Sequence, residues 1–366
     1  MKNLFLRLFK NFDWFLAGAA AFLCSIGIAV LFSTTYDFKL SSEAMRQVMF
    51  VILGFAALFA VAQVDYRAYR SYSGILYILV IILLLSVRFF GKTALGATRW
   101  IDFGLFQFQP SLVAQLLMAI ILAKYFSDHY EELRGIKAIA KSGVFVAIPT
   151  VLTALQPDLG TAFVFVFLWF CMLVFSNAKK IYVLAMAVLG VFSLPVAWLF
   201  LKDYQKARVS TFINPAADPQ GAGWNVTQAQ IAIGSGQLWG RGLGHGTQSQ
   251  LNFIPEKHTD FIFASMAEEM GFLGVFVVLF LYGVMFLRGV KTAILARDFF
   301  GAYLAIGILA MIFVHVFVNI GMNLGIMPVT GIPLPFISYG GTPIIVDLAA
   351  LGILESIYRK CKKIDF

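Results

Sequence analysis

Apolar runs of about 17–25 residues, each long enough to cross ~30 Å of hydrocarbon, recur along the whole chain. Ten spans are counted, at approximately 13–35, 46–64, 73–89, 110–125, 143–156, 159–176, 180–200, 263–287, 298–322 and 341–358. With 60% hydrophobic residues and a mean hydropathy of +0.84, a soluble domain is excluded. The pattern predicts an all-α polytopic membrane protein of about ten transmembrane helices, one integral membrane domain over residues 1–366. Pro110, Pro157 and the GIPLPF stretch at Gly331–Phe336 punctuate run ends, where a missing N–H is tolerated. The first run is too long for a signal-peptide core, and no small-residue cleavage site follows it.

A net charge of +9 would suit a nucleic-acid binder, but its distribution argues for a membrane. With the N-terminus inside, 18 of the 28 Lys and Arg fall on cytoplasmic segments. The short outer loops hold only Lys39, Arg46, Arg88, Lys92 and Arg99. Both termini are therefore expected in the cytoplasm of a cell whose inner membrane this chain spans, with membrane lipid and no nucleic acid as its surroundings. Cys24, Cys171 and Cys361 are too scattered for a disulfide framework or a metal cluster.

The long segment 201–262, between the seventh and eighth runs, is expected outside. It carries Phe212, Trp224, Ile231, Trp239, Leu243 and Phe253, too much apolar surface to leave in water, so it reads as a folded cap. Val226–Gly234 has the spacing of a short amphipathic helix. GRGLGHG at Gly240–Gly246 lacks the GK[ST] of a phosphate-binding P-loop; its glycines permit tight turns beside a bulky ligand.

Charges at membrane depth persist where function needs them, and Asn252–Gly274 gathers Glu256, Lys257, His258, Asp260, Glu268 and Glu269. Asp260 stands between aromatic residues at an interface, where desolvation would raise its pKa toward that of a useful base. The alternative is a plain helix cap by Thr259 or Asp260. Glu268 shares a helix face with Asp260 if both are helical, though an ion pair to a neighbouring helix suits Glu268 and Glu269 better. Asp158 in QPDLG is a helix cap, a functional anion, or both. Arg99, Arg208, Arg241 and Lys257 on the outer side suit either a phosphate or lipid headgroups, and Trp100 suits the headgroup level.

These stretches resemble the SEDS family of bacterial cell-wall proteins, its rod-shape branch most closely. The resemblance covers nearly the whole chain and rests on RWIDFGLFQFQPS (Arg99–Ser111), QPDLGTA (Gln156–Ala162), RVSTFINP (Arg208–Pro215), the long Gly234–Gly274 segment and NIGMNLGIMPVTGIPLPFISYGG (Asn319–Gly341). It implies a peptidoglycan glycosyltransferase that polymerises lipid II outside the cytoplasmic membrane during cell elongation. It also implies a class B penicillin-binding protein as partner within the elongation machinery. The acid of the PExHTDF motif, here Asp260, is the implied catalytic residue. Arg99, Trp100, Asp158, Arg208, Arg241, Lys257, His258, Glu268 and Glu269 are the expected substrate contacts. Conversion of an α-linked donor to a β-linked strand implies inversion with one base. Magnesium or manganese is left open as a cofactor, and lipid II flipping is the alternative activity. One departure stands out: the family's QPSE is here QPSL, with Leu112 in place of Glu.

Overall fold

A computed structural model of the protein describes residues 11–34, 42–94, 97–104, 106–214, 221–254 and 256–361. Lys39, counted above among the outer charges, and Pro215 at the end of RVSTFINP lie outside these residues, as do the cytoplasmic charges before 11 and after 361. All ten apolar runs are helices: α1 (Trp14–Ser33), α2 (Ser42–Gln63), α4 (Ser73–Phe90), α5 (Pro110–Asp128), α6 (Ile136–Leu155), α7 (Leu159–Val174), α8 (Lys180–Phe200), α12 (Ile262–Leu295), α13 (Phe299–Asn323) and α14 (Gly341–Cys361). A short α3 (Tyr66–Ser71) joins α2 to α4, and α9 (Asp203–Ile213), α10 (Ala222–Ser235) and α11 (Thr247–Gln250) fold the long segment. Antiparallel β1 (Lys92–Ala94), β2 (Ala97–Asp102) and β3 (Gln107–Phe108) form a small sheet the hydropathy pattern did not suggest. Its strands are too short and too mixed in character to read as such.

Pro110 opens α5 at a position where its missing N–H costs nothing, and Asp158 and Asp298 cap α7 and α13 through the N–H groups of Thr161 and Gly301. The centre of the bundle is α5, α13 and α14, largely buried along their length. α14 packs most extensively on α2, and α13 on α5 and α12. α8 stands apart, touching chiefly α7 and exposing Leu184, Phe192 and Leu199. At the end bearing the chain's basic segments, Arg288 pairs with buried Asp13 at 2.6 Å and reaches Tyr358 at 3.2 Å.

The expected helix at Val226–Gly234 is present as α10, whose Ala229 and Ala232 pack toward Ile254, Phe261 and Ala264. α12 runs for 34 residues, more than one bilayer crossing needs, and is broken at Gly271 (φ 64, ψ −167). The glycine-rich segment after α10 fills the break. Arg241 N and Gly242 N donate to the carbonyls of Glu268 and Glu269 (both 3.0 Å), while Phe272 N and Leu273 N donate to Gln237 O and Leu238 O (2.8 and 3.2 Å). Backbone groups freed by the kink are thereby paired, as a segment at membrane depth requires. Gly236 and Gly240 serve this close approach of two backbones: a Cβ on either would overlap the carbonyl oxygen of Ala267 or Glu269.

Candidate active site

The turn 256–261 carries Asp260 to the mouth of α12. Phe261 is the N-cap and no side chain caps this helix, so the plain capping role for Thr259 or Asp260 does not hold. Because Asp260 precedes the helix, it shares no helical face with Glu268. Three sets of hydrogen bonds fix the turn. The Asp260 carbonyl accepts from Asn319 Nδ2 (3.1 Å) and Asn323 Nδ2 (3.0 Å), both on α13, and Asn323 Oδ1 accepts from Ala264 N at 3.2 Å. Ser338 Oγ donates to Thr259 O at 2.7 Å, and Tyr339 N donates to His258 O at 2.9 Å. The main chain on either side of Asp260 is thus held while its carboxyl faces open space.

That space is a cavity of about 580 Å³, lined among others by Arg46, Arg99, Trp100, Arg208, Asp260 and Tyr339. Gly331 (φ +75) lies between the two key charges: a Cβ there would sit 3.2 Å from Arg99 Nη1 and 3.4 Å from Asp260 Oδ2. Burial pushes the Asp260 carboxyl up to about 6; the Glu256 charge adds to the rise, and Arg99 and Arg208 oppose it. Near neutral pH such a carboxylate is ionised yet basic enough to take a proton.

Arg99 Nη1 lies 3.6 Å from Asp158 Oδ1, and Nη2 donates to Pro157 O at 3.2 Å. Asp158 is therefore both cap and anion: it accepts from Thr161 N and steadies Arg99 at the cavity wall. Arg208 Nη1 donates to Val329 O at 3.3 Å and reaches the same cavity. Trp100 also lines it.

Five expected contacts are placed elsewhere. Arg241 is exposed beside Ser235 (3.2 Å), outside the cavity. Lys257 Nζ is spent on two carbonyls, Thr34 O (2.9 Å) and Ser249 O (2.7 Å), tying the turn to the end of α1; burial lowers its pKa. His258 Nδ1 lies 3.2 Å from Thr34 Oγ1, and burial pushes the ring down to about 4, so it is neutral. Among the described residues, Glu268 and Glu269 form no ion pair with a neighbouring helix. Glu268 accepts from Gln248 N (2.8 Å) and Ser249 N (3.0 Å), and Glu269 from Gly244 N (3.2 Å) and Ser33 Oγ. The amides of the folded cap satisfy them, a role that residue type alone does not distinguish from a salt bridge.

Residues the sequence reading passed over include Glu43, Arg46 and Phe50, one face of α2 at the cavity, and Tyr339, whose hydroxyl bonds to Arg46. An i, i+4 pair of asparagines in an apolar helix, Asn319 and Asn323, was the available signal for the anchor of Asp260. Among the described residues no three His, Cys, Asp or Glu converge as ligands. Asp102 at the cavity wall is engaged by Lys92 at 2.8 Å, and Arg46, Arg99 and Arg208 bring guanidinium charge to the same cavity.

A family profile described as cell cycle protein, FtsW/RodA/SpoVE, matches residues 13–363. Peptidoglycan glycosyltransferase MrdB of Escherichia coli K12 is 41% identical over 321 residues, covering 87% of this chain and 86% of that protein. Peptidoglycan glycosyltransferase RodA of Treponema pallidum is 31% identical over 423 residues, covering 95% and 98%. A chain of a solved peptidoglycan synthase complex, in which polymerization and crosslinking are structurally coordinated, superposes with a TM-score of 0.81 at 29% identity over 95% of this chain and 98% of that one. RodA of Thermus thermophilus gives 0.72 at 27% identity, over 96% and 98%.

Proposed function

Because this chain belongs to the FtsW/RodA/SpoVE family of cell cycle proteins, we infer that it is a multi-pass membrane peptidoglycan glycosyltransferase. Its substrate in this reading is lipid II, a disaccharide on a polyprenyl diphosphate, joined into strands on the outer face of the cytoplasmic membrane during elongation. The observation that carries the mechanism is Asp260, anchored through its own backbone and facing a cavity that Arg99 and Arg208 also line. The carboxylate takes the proton from a sugar hydroxyl of one molecule as that oxygen bonds to the anomeric carbon of the other. The bond from that carbon to the lipid diphosphate breaks with its electron pair. Charge building on the leaving diphosphate is met by the two guanidiniums, whose planar forks suit phosphate oxygens. No covalent enzyme intermediate is needed, and the product is inverted. Incubating the purified protein with lipid II, alone and with its partner, and measuring strand length tests this: strands are expected, whereas transfer of lipid II across liposomes without strands would favour flipping.

Orientation follows from charge. The cavity lies at the end of the bundle opposite the pairs Arg70–Asp128 and Lys360–Asp65, which supports an outer position under the positive-inside rule. In a variant otherwise free of cysteine, Arg241→Cys is expected to react with an impermeant thiol reagent applied from outside, and Glu131→Cys is not. Labelling of Glu131→Cys would reverse the topology.

A class B penicillin-binding protein is the partner this reading implies. α12 offers its transmembrane helix a surface of exposed Phe272, Phe276 and Phe280 beside Gly283, which has open space around it. Gly271 is not part of that surface, since it is packed on the inserted segment. Cross-linking from Phe276→Cys and Gly283→Cys should capture the partner; capture only from α4 or α6 would move the interface.

A further inference from the structure

Deeper in the bundle, where α5, α13 and α14 meet, lies a second void of about 10 Å³ lined by Leu112, Gln115, Met311, His315, Pro333, Pro343, Val346 and Asp347. It has room for one water molecule. Its polar walls are all acceptors. Gln115 is wholly buried and its Oε1 has no hydrogen-bond partner. His315 Nδ1 lies 2.7 Å from the Met311 carbonyl, which only accepts, so Nδ1 carries the hydrogen and Nε2 of the neutral ring keeps a lone pair. The Asp347 carboxyl lines the void and lies beside the backbone N–H of Phe336. Three acceptors facing one another without a donor is an arrangement native interiors avoid.

We propose that this void holds one water and that Asp347, acting with it as an un-ionised acid, positions the 331–341 segment for the reaction at Asp260. The hydrogen bonds then close. The acid O–H donates to the water oxygen, and the two water hydrogens go to Gln115 Oε1 and His315 Nε2. The acid carbonyl keeps the Phe336 N–H. That last bond matters because Phe336 sits at φ 65, a conformation a bulky residue holds only when its surroundings fix it. Tyr282 Oη donating to Pro335 O at 2.5 Å supports the same bend. On either side of it, Gly331 lies beside the Asp260 carboxyl, with only enough room for a Cβ between them, and Ser338 donates to Thr259 O. Leu112, this chain's departure from the family pattern, lines the same void. A carboxyl reaching in from position 112 would compete for the space Asp347 uses, so the void accommodates one acid, and here α14 supplies it.

The effect on rate rests on the glycosyltransferase reading; the effect on the fold does not. In Asp347→Asn the amide N–H replaces the acid O–H, and its carbonyl still accepts from Phe336. Strand synthesis is expected within about twofold of wild type with an unchanged Tm, because a donor toward the water and an acceptor toward Phe336 are both kept. Asp347→Leu should lose roughly tenfold or more in strand synthesis through misplacement of the segment and melt several degrees lower. Leu112→Glu combined with Asp347→Leu should recover most of both. The proposal is overturned if Asp347→Asn is as damaging as Asp347→Leu, if Asp347→Leu behaves as wild type, or if the double variant gives no rescue. Were wild type to make no strands, the glycosyltransferase reading would fail, while the same order of melting temperatures would still decide on the water and the acid.

Discussion

Asp260→Asn is expected to reduce strand synthesis from lipid II by roughly two orders of magnitude or more, the usual contribution of a positioned general base. The amide keeps the size of the side chain, and the backbone bonds from Asn319 and Asn323 go to the main-chain carbonyl, which the substitution leaves alone. Folding and lipid II binding should therefore survive, so the loss should appear in kcat and not in KM. The pH profile of wild type offers a second readout. A base held at about 6 is protonated and inactive below that value, so activity should rise as pH climbs through about 6 and level off above it. Near-normal synthesis by a folded Asp260→Asn protein would remove Asp260 from the chemistry. Arg99→Gln makes a useful contrast: loss of a cation near the leaving group should also lower the rate, and the pH midpoint should move upward because Arg99 favours the ionised carboxylate.

Hydropathy carried the architecture because lipid allows so few solutions. A chain with ten apolar runs has to bury each backbone in a helix, and all ten runs are helices. Asp260 was legible for a related reason, since a carboxylate immediately before Phe261 and a long apolar run has no cheap structural purpose. Its neighbours were harder. Lys257 and Arg241 have the right charge and the right side of the bundle, yet one is consumed by Thr34 O and Ser249 O and the other sits beside Ser235. Residue type does not reveal which carbonyls a cation will meet. Glu268 and Glu269 illustrate the same limit, because their partners are backbone amides 19 to 25 positions away, brought close by a break in α12. Arg46 and Tyr339 were missed because they come from opposite ends of the chain and meet only where α2 packs on α14.

The break itself yields the second large effect: Gly240→Val is expected to abolish the folded state or lower the melting temperature beyond any surface substitution. Gly240 sits at φ +80, where a β-branched residue is strained by about 1–3 kcal/mol. A Cβ would also run into the Glu269 carbonyl and the Met270 backbone. The segment would have to withdraw, taking with it the four backbone bonds across the kink between 237–242 and 268–273. Each polar group left unpaired at membrane depth would cost about 1–3 kcal/mol, which exceeds the margin of most domains when several are lost together. Gly283→Val on the same helix serves as the control, since nothing lies within 4 Å of a Cβ there and helix propensity is the main change. Melting curves and detergent-resistant yield of the two variants would separate the cases. If Gly240→Val matched Gly283→Val, the inserted segment would not be what holds α12 in its broken form. If Gly240→Val alone collapsed, the turn bearing Asp260 should fail with it, because Glu268 and Glu269 would lose the cap amides that pin the start of α12.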